Sequence, residues 1–116
     1  MPQYLLSVHH AAEIAPVPDT PFEQIRAEVA AFNDELLAQH RLVFAGGLLP
    51  AAEATVVDAT GPRVTMHRGS YLPGAEQLGG FWVVRADTLT EALELAERAS
   101  AACRLTVEVR PFQDEG

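Results

Sequence analysis

The chain contains no lysine: its eight basic residues are all arginine, set against 16 acidic ones. The resulting net charge of -8 excludes the basic stripe that nucleic-acid phosphates require, so no nucleic-acid partner is expected. Cysteine is nearly absent. Cys103 stands alone, which excludes an internal disulfide and any cysteine-rich zinc site. Its place late in a predicted helix, near a core face, suits a small buried hydrophobe better than a nucleophile. No apolar run approaches the roughly 18 residues of a membrane span, and no charged-then-apolar leader precedes a small-residue cleavage site. These absences point to a cytoplasmic protein with no membrane partner. Three motifs are missing as well: a serine nucleophile elbow, a phosphate-binding glycine loop and a dinucleotide fingerprint. Gly46-Gly47 and Gly79-Gly80 lack the spacing of such motifs.

What is present is a foldable single domain. The chain has 116 residues, of which 48% are apolar, enough for one core. Residues 1–112 read as one domain, and 113–116 as a flexible acidic tail. Tyr4–Val8 alternates, with Tyr4, Leu6 and Val8 on one side and Leu5, Ser7 and His9 on the other, and predicts a strand ended by His9-His10. Thr20-Pro-Phe-Glu23 predicts a capped helix start. Phe22, Ile25, Val29, Phe32 and Leu36 then share one helical face. Leu42–Ala45 predicts a strand running into Gly46-Gly47. Ala54–Asp58 and Arg63–Met66 predict a hairpin around Ala59-Thr-Gly-Pro62. Phe81–Arg85 reads as a strand, and Thr88-Leu-Thr-Glu91 as a second capping box. It opens a helix whose face carries Leu89, Ala92, Leu93, Ala96, Ala99, Ser100 and Cys103. Leu105–Pro111, with Val107 and Val109 on one face, closes the order.

That order is β-α-β-(β-β)-β-α-β. Without the hairpin it is βαββαβ, the ferredoxin-like plan of an α+β fold. Two helices cover one sheet face and leave the other, with its apolar side chains, partly bare. A second copy covers it most simply, so a homodimer is expected.

The stretch Arg68–Gly80 mixes glycine and proline with ligand-facing side chain types and reads as a functional loop. Arg68, with its planar fork, suits a carboxylate or phosphate. Ser70 and Tyr71 supply hydroxyls, and Gly46 and Gly47 allow close backbone approach. Trp82 suits either a pocket wall or core packing. His9, His67 and Glu76 are candidate acid–base residues, because imidazole titrates near neutral pH and a sheltered carboxyl can be tuned. Each of these residues also fits a purely structural part. His9 and His10 are adjacent on a strand and diverge, so they cannot share a metal; no metal and no cofactor is expected. His40 reads as a helix-end residue.

Several short segments, in order, carry a resemblance. They are Tyr4-Leu5-Leu6, Phe44-Ala-Gly-Gly-Leu-Leu-Pro50, Glu76-Gln-Leu-Gly-Gly80 with the aromatic strand after it, Asp87, Glu91-Ala92-Leu93 and Val107-Glu-Val-Arg-Pro111. Together they resemble the YCII-related proteins, in the branch named for an Asp-Gly-Pro-Phe motif. Arg68-Gly69-Ser70-Tyr71 stands in the place of that motif, reversing the charge at its acid. Val29 falls near the position of the wider family's helix histidine. The resemblance implies a dimeric α/β barrel with one cleft per subunit. Three functions stay open: a dimeric binder of a small anionic or polar molecule; a cofactor-free oxygenase or isomerase using His9 or His67 with Glu76; and a regulatory interaction module. The last follows from the association of that branch with sigma-factor-type regulators.

Overall fold

A computed structural model describes residues 1–11 and 22–113. The elements run β1 (Gln3–Ala11), α1 (Phe22–Ala38), β2 (Leu42–Gly47), a 3-10 turn (Ala51–Glu53), β3 (Thr55–Asp58), β4 (Thr65–Arg68), β5 (Glu76–Arg85), α2 (Leu89–Cys103) and β6 (Thr106–Pro111). Four strands form an antiparallel sheet in the order β2-β5-β1-β6, while β3 and β4 pair only with each other. Set the hairpin aside and this is the expected ferredoxin-like α+β plan. The Thr20-Pro21 cap and the last three residues of the acidic tail lie outside the described residues.

The helices pack on the sheet face that carries Tyr4, Leu6, Val8, Trp82 and Val84. Alternation puts these residues on one side of β1 and β5, as the period of two requires. Phe32 and Leu36 of α1 and Ala92, Leu95, Ala96 and Ala99 of α2 complete the core. Leu6, Leu36 and Val84 are fully buried, each contributing roughly 1.5–3 kcal/mol. The alanines let α2 lie close to the sheet. Leu95 joins this face, whereas Leu89 and Leu93 are 50% and 49% exposed, so the buried stripe runs slightly round from the one expected. At the start of α1, Phe22 is 69% exposed and the apolar face begins in effect at Ile25.

Local chemistry ends the helices as the residues suggest. The Thr88 hydroxyl accepts the Glu91 N–H, while the Glu91 carboxylate accepts the Asp87 N–H at 2.8 Å. His40 and Arg104 take left-handed φ values of 59° and 62°, closing α1 and α2. Arg41 N–H reaches the Leu36 carbonyl at 2.9 Å, and Arg104 N–H the Ser100 carbonyl at 2.9 Å. Two ion pairs, Arg98–Glu35 and Arg104–Glu28, tie the helices together on the wet side. The Arg104 guanidinium holds the Glu28 carboxyl below its ordinary value.

Among the described residues no helix lies on the opposite sheet face. Leu5, Phe44, Phe81 and Val83 lie there, with Phe44 56% exposed and its ring 5.8 Å from that of Phe81. On β6 the same face turns polar, with Thr106, Glu108 and Arg110.

Three boundaries differ from the sequence reading, and one cause explains two of them. β1 does not stop at His9 but runs to Ala11. β5 starts at Glu76, so Glu76–Gly80 is strand and the loop shrinks to residues 69–75. The two extensions pair with each other past a register shift between Val8 and His9. A double glycine reads as a turn by itself; opposite a strand it makes a bulge. The third difference is β4, which runs to Arg68 and so takes Arg68 out of the loop, with His67 beside it on the strand.

Candidate functional site

The bulge builds the site. Val8 pairs with Gly80 and His9 with Leu78, leaving Gly79 as the extra residue. A Cβ on Gly79 would lie 2.3 Å from the His10 ring, so the imidazole of His10 occupies the space a side chain would need. Beyond the bulge, Ala11 pairs with Glu76. His9 and Glu76 are therefore diagonal neighbours on the same sheet face, at a Cα separation of about 7–8 Å in ordinary sheet geometry. His9 and His10 diverge, as adjacent strand residues must.

Ser7 adds a contact that attention to charged and aromatic residues passes over. Its Oγ stands 3.0 Å from His9 Nε2, and the residue is only 5% exposed. The hydroxyl donates to Nε2, or Nε2–H donates to the hydroxyl, according to the imidazole tautomer. In either case the ring orientation is held. The signal was present in the alternation of β1, which puts Ser7 and His9 on one side.

The segments on either side of the hairpin supply the other wall. Leu48 N–H continues the β2–β5 pairing through a 2.8 Å bond to the Gly79 carbonyl. The 3-10 turn follows and presents Glu53. On the return segment, Ser70 Oγ donates to the Leu72 carbonyl at 3.1 Å. Gln77 Nε2 donates to the carbonyls of Leu72 and Gly74 at 3.1 and 3.3 Å. Gln77 thus pins the loop to β5, a part that its neutral side chain did not advertise in the sequence.

Between these walls lies a cavity of about 760 Å³. His9, Ser70, Tyr71 and Glu76 line it together, so four of the sequence candidates meet here. Glu53 and Gln77 add polar groups, and Leu48, Leu49, Leu72 and Leu78 give it an apolar wall. Tyr71 and Leu72 line the cavity while staying 78% and 71% exposed, so the described residues leave this side open to water. A cavity of this size and mixed lining accommodates a small organic molecule with at least one polar group.

The other candidates fall elsewhere. Gly46, Gly47 and Trp82 line a smaller cavity of about 220 Å³, with Val29, Asn33 and Cys103. Trp82 is a core residue: it is 5% exposed, packs edge-on to Phe32 at 5.8 Å, and donates from Nε1 to Asn33 Oδ1 at 2.7 Å. Burial pushes the nearby Cys103 thiol up from its ordinary value. Gly80 is buried beside β2 with no room for a side chain, since a Cβ there would meet the Gly46 carbonyl oxygen at 2.8 Å.

His67 and Arg68 lie on β4 and line neither cavity. His67 stands opposite Val56. Arg68 pairs with Glu53 at 3.3 Å, with side chains 74% and 57% exposed, so the pair is solvent-screened and contributes little to stability. Its guanidinium reaches the rim of the larger cavity only through that carboxylate. Among the described residues no three histidine, cysteine, aspartate or glutamate side chains converge as a metal centre needs. No helix among them is long and apolar enough to cross a membrane.

No curated protein matches the chain. The family model of the YCII-related domain does match, over residues 3–114, which takes in every strand and helix described above. With both the ferredoxin-like order and the His9–Glu76 strand pair inside that span, the chain belongs to the YCII-related family.

Proposed function

We propose that this chain is a homodimeric binder of a small polar molecule, held in the cavity beside His9 and Glu76. The observation that carries the reading is the meeting of His9, Ser70, Tyr71 and Glu76, distant in sequence, around one cavity of about 760 Å³. The apolar wall takes the body of the ligand, and the imidazole and carboxylate orient its polar end. Glu53 is engaged by Arg68, whereas Glu76 has no ion-pair partner among the described residues. This lining favours a ligand with a hydrogen-bond donor over a simple anion. Ser70 and Gln77 shape the loop more than they contact the ligand, since their polar groups bond loop carbonyls.

The dimer half of the proposal rests on the uncovered sheet face. Phe44 at 56% exposure and Leu78 at 43% share it with Leu5, Phe81 and Val83. Two such faces brought together form the dimeric barrel expected from the family resemblance. No single observation favours the oxygenase, isomerase or sigma-factor readings over this one.

The test is a two-dimensional NMR titration against a panel of small amides, alcohols, amines and carboxylates. A binder is expected to shift the amides of His9 and residues 70–78. Glu76→Gln should weaken it by about tenfold, the loss of one hydrogen bond to a charged group. Binders that shift only residues 45–47 and 79–82, or no binder at all, would overturn the assignment.

A further inference from the structure

The β3–β4 hairpin is an arm with no core beneath it. Its strands pair with each other, and Gly69 N–H ties its base to the Ala54 carbonyl at 2.8 Å. Val57 stands opposite Met66, and these two are 57% and 67% exposed; Val64 beside them is 61% exposed. A lone two-stranded hairpin is marginal in water, and this one keeps its apolar side chains in solvent. Among the described residues nothing packs over Val57 and Met66.

The shape of the chain points the same way. The radius of gyration is 16.3 Å, and the extents are 47 × 47 × 19 Å. A chain of this length that closed on itself would have a radius of about 13 Å. The chain is a plate, and its broad face far exceeds the roughly 800 Å² per partner that a stable interface needs.

Charge identifies the occupant. Arg68 is held by Glu53 at the base of the arm, which leaves Arg63 near its tip as the arm's cation without an ion pair among the described residues, while the chain as a whole carries -8. Two bodies of this chain repel each other, whereas Arg63 is drawn to an acidic body. The cavity supplies the matching acidic group in Glu76, since Glu53 is engaged by Arg68, and its side at Tyr71 and Leu72 is left unclosed by the described residues.

We infer that the arm of each copy crosses to the second copy, lays Val57 and Met66 on it, and brings Arg63 to the open side of that copy's cavity. The ligand site is then built from two chains. In a two-fold dimer both cavities are closed by the same exchange. This inference rests on the dimer proposed above.

The experiment places a photoreactive benzophenone side chain at Met66 in the full chain, with light scattering on the wild-type protein at tens of micromolar. Isotope-labelled and unlabelled copies are mixed before irradiation, so that peptide mapping separates links between copies from links within one. The expected result is a dimer by scattering, with Met66 linked to residues 48–54 or 70–78 of the other copy. Met66→Asp should raise the dimer dissociation constant by more than about tenfold, because a carboxylate would be desolvated without a partner. The circular dichroism of the four-stranded domain should stay unchanged. A dimer in which Met66 links to its own chain, residues 12–21 included, or to the other arm, or to nothing, overturns the crossing and leaves the dimer standing. A wild-type monomer overturns both.

Discussion

Replacing Gly80 with alanine tests a close backbone approach between β2 and β5. Gly80 is central in the sheet, paired to Val8 on one side and Gly47 on the other. An added Cβ would lie 2.8 Å from the Gly46 carbonyl oxygen and 3.1 Å from Gly47 Cα. Both obstacles are backbone, so no side chain can rotate away; β2 must shift from β5. Overpacking of this kind costs about 1–3 kcal/mol. The lower entropy of the unfolded alanine chain offsets about 0.4–1 kcal/mol of that. The expected net loss is about 1–2 kcal/mol, a drop in Tm of roughly 5–10 °C for a domain of this size. Urea unfolding followed by the fluorescence of Trp82, the only tryptophan and a core residue, should show the midpoint falling by roughly 1 M. Protein concentration must be held constant, because dimerisation adds to apparent stability. Gly61→Ala is the control: nothing lies within 4 Å of its Cβ, and its stability should stay within about 0.5 kcal/mol of wild type. If the two variants unfold alike, the reasoning from backbone proximity is wrong.

Two further predictions concern groups whose environment is defined. Trp82→Phe keeps the ring packing on Phe32 but strips Asn33 Oδ1 of its 2.7 Å donor. It should cost about 1–3 kcal/mol in thermal unfolding followed by circular dichroism, while ligand affinity at His9 and Glu76 stays unchanged; an affinity loss without a stability loss would return Trp82 to the site. The Asp58 carboxyl is held below its ordinary value by the Thr60 hydroxyl and then by the Thr60 N–H, the latter at 2.9 Å. Because the folded value is depressed, the turn's stabilisation is fully present above the unfolded value of about 4 and is lost as pH falls through the folded one. The Thr60 amide resonance should therefore move only below about pH 4, and a transition above pH 5 would contradict the contact.

The parts of this protein legible in one dimension are those set by neighbours within about four residues. Spacings of three and four marked both helices. Thr88 and Glu91 marked the start of α2, and the alternation through Val107 and Val109 marked β6. From these the βαββαβ order followed, and with it a sheet covered on one side. His9 and Glu76, two of the candidates the sequence offered beside His67, line one cavity.

What only the tertiary structure decided is register and grouping. Gly79-Gly80 reads as a turn until β1 lies opposite it; the pairing then makes a bulge, extends both strands, and sets His9 diagonal to Glu76. Trp82 reads equally as wall or core until Asn33, 49 residues away, accepts its N–H. Arg68 reads as the start of the loop, with His67 just before it, until β4 pairs with β3 and carries both out on the arm. Each of these outcomes depends on a partner distant along the chain. Helix spacing and capping are interactions between near neighbours and are written in order; the alignment of strands and the closing of a cavity are settled by whichever distant backbone groups satisfy one another.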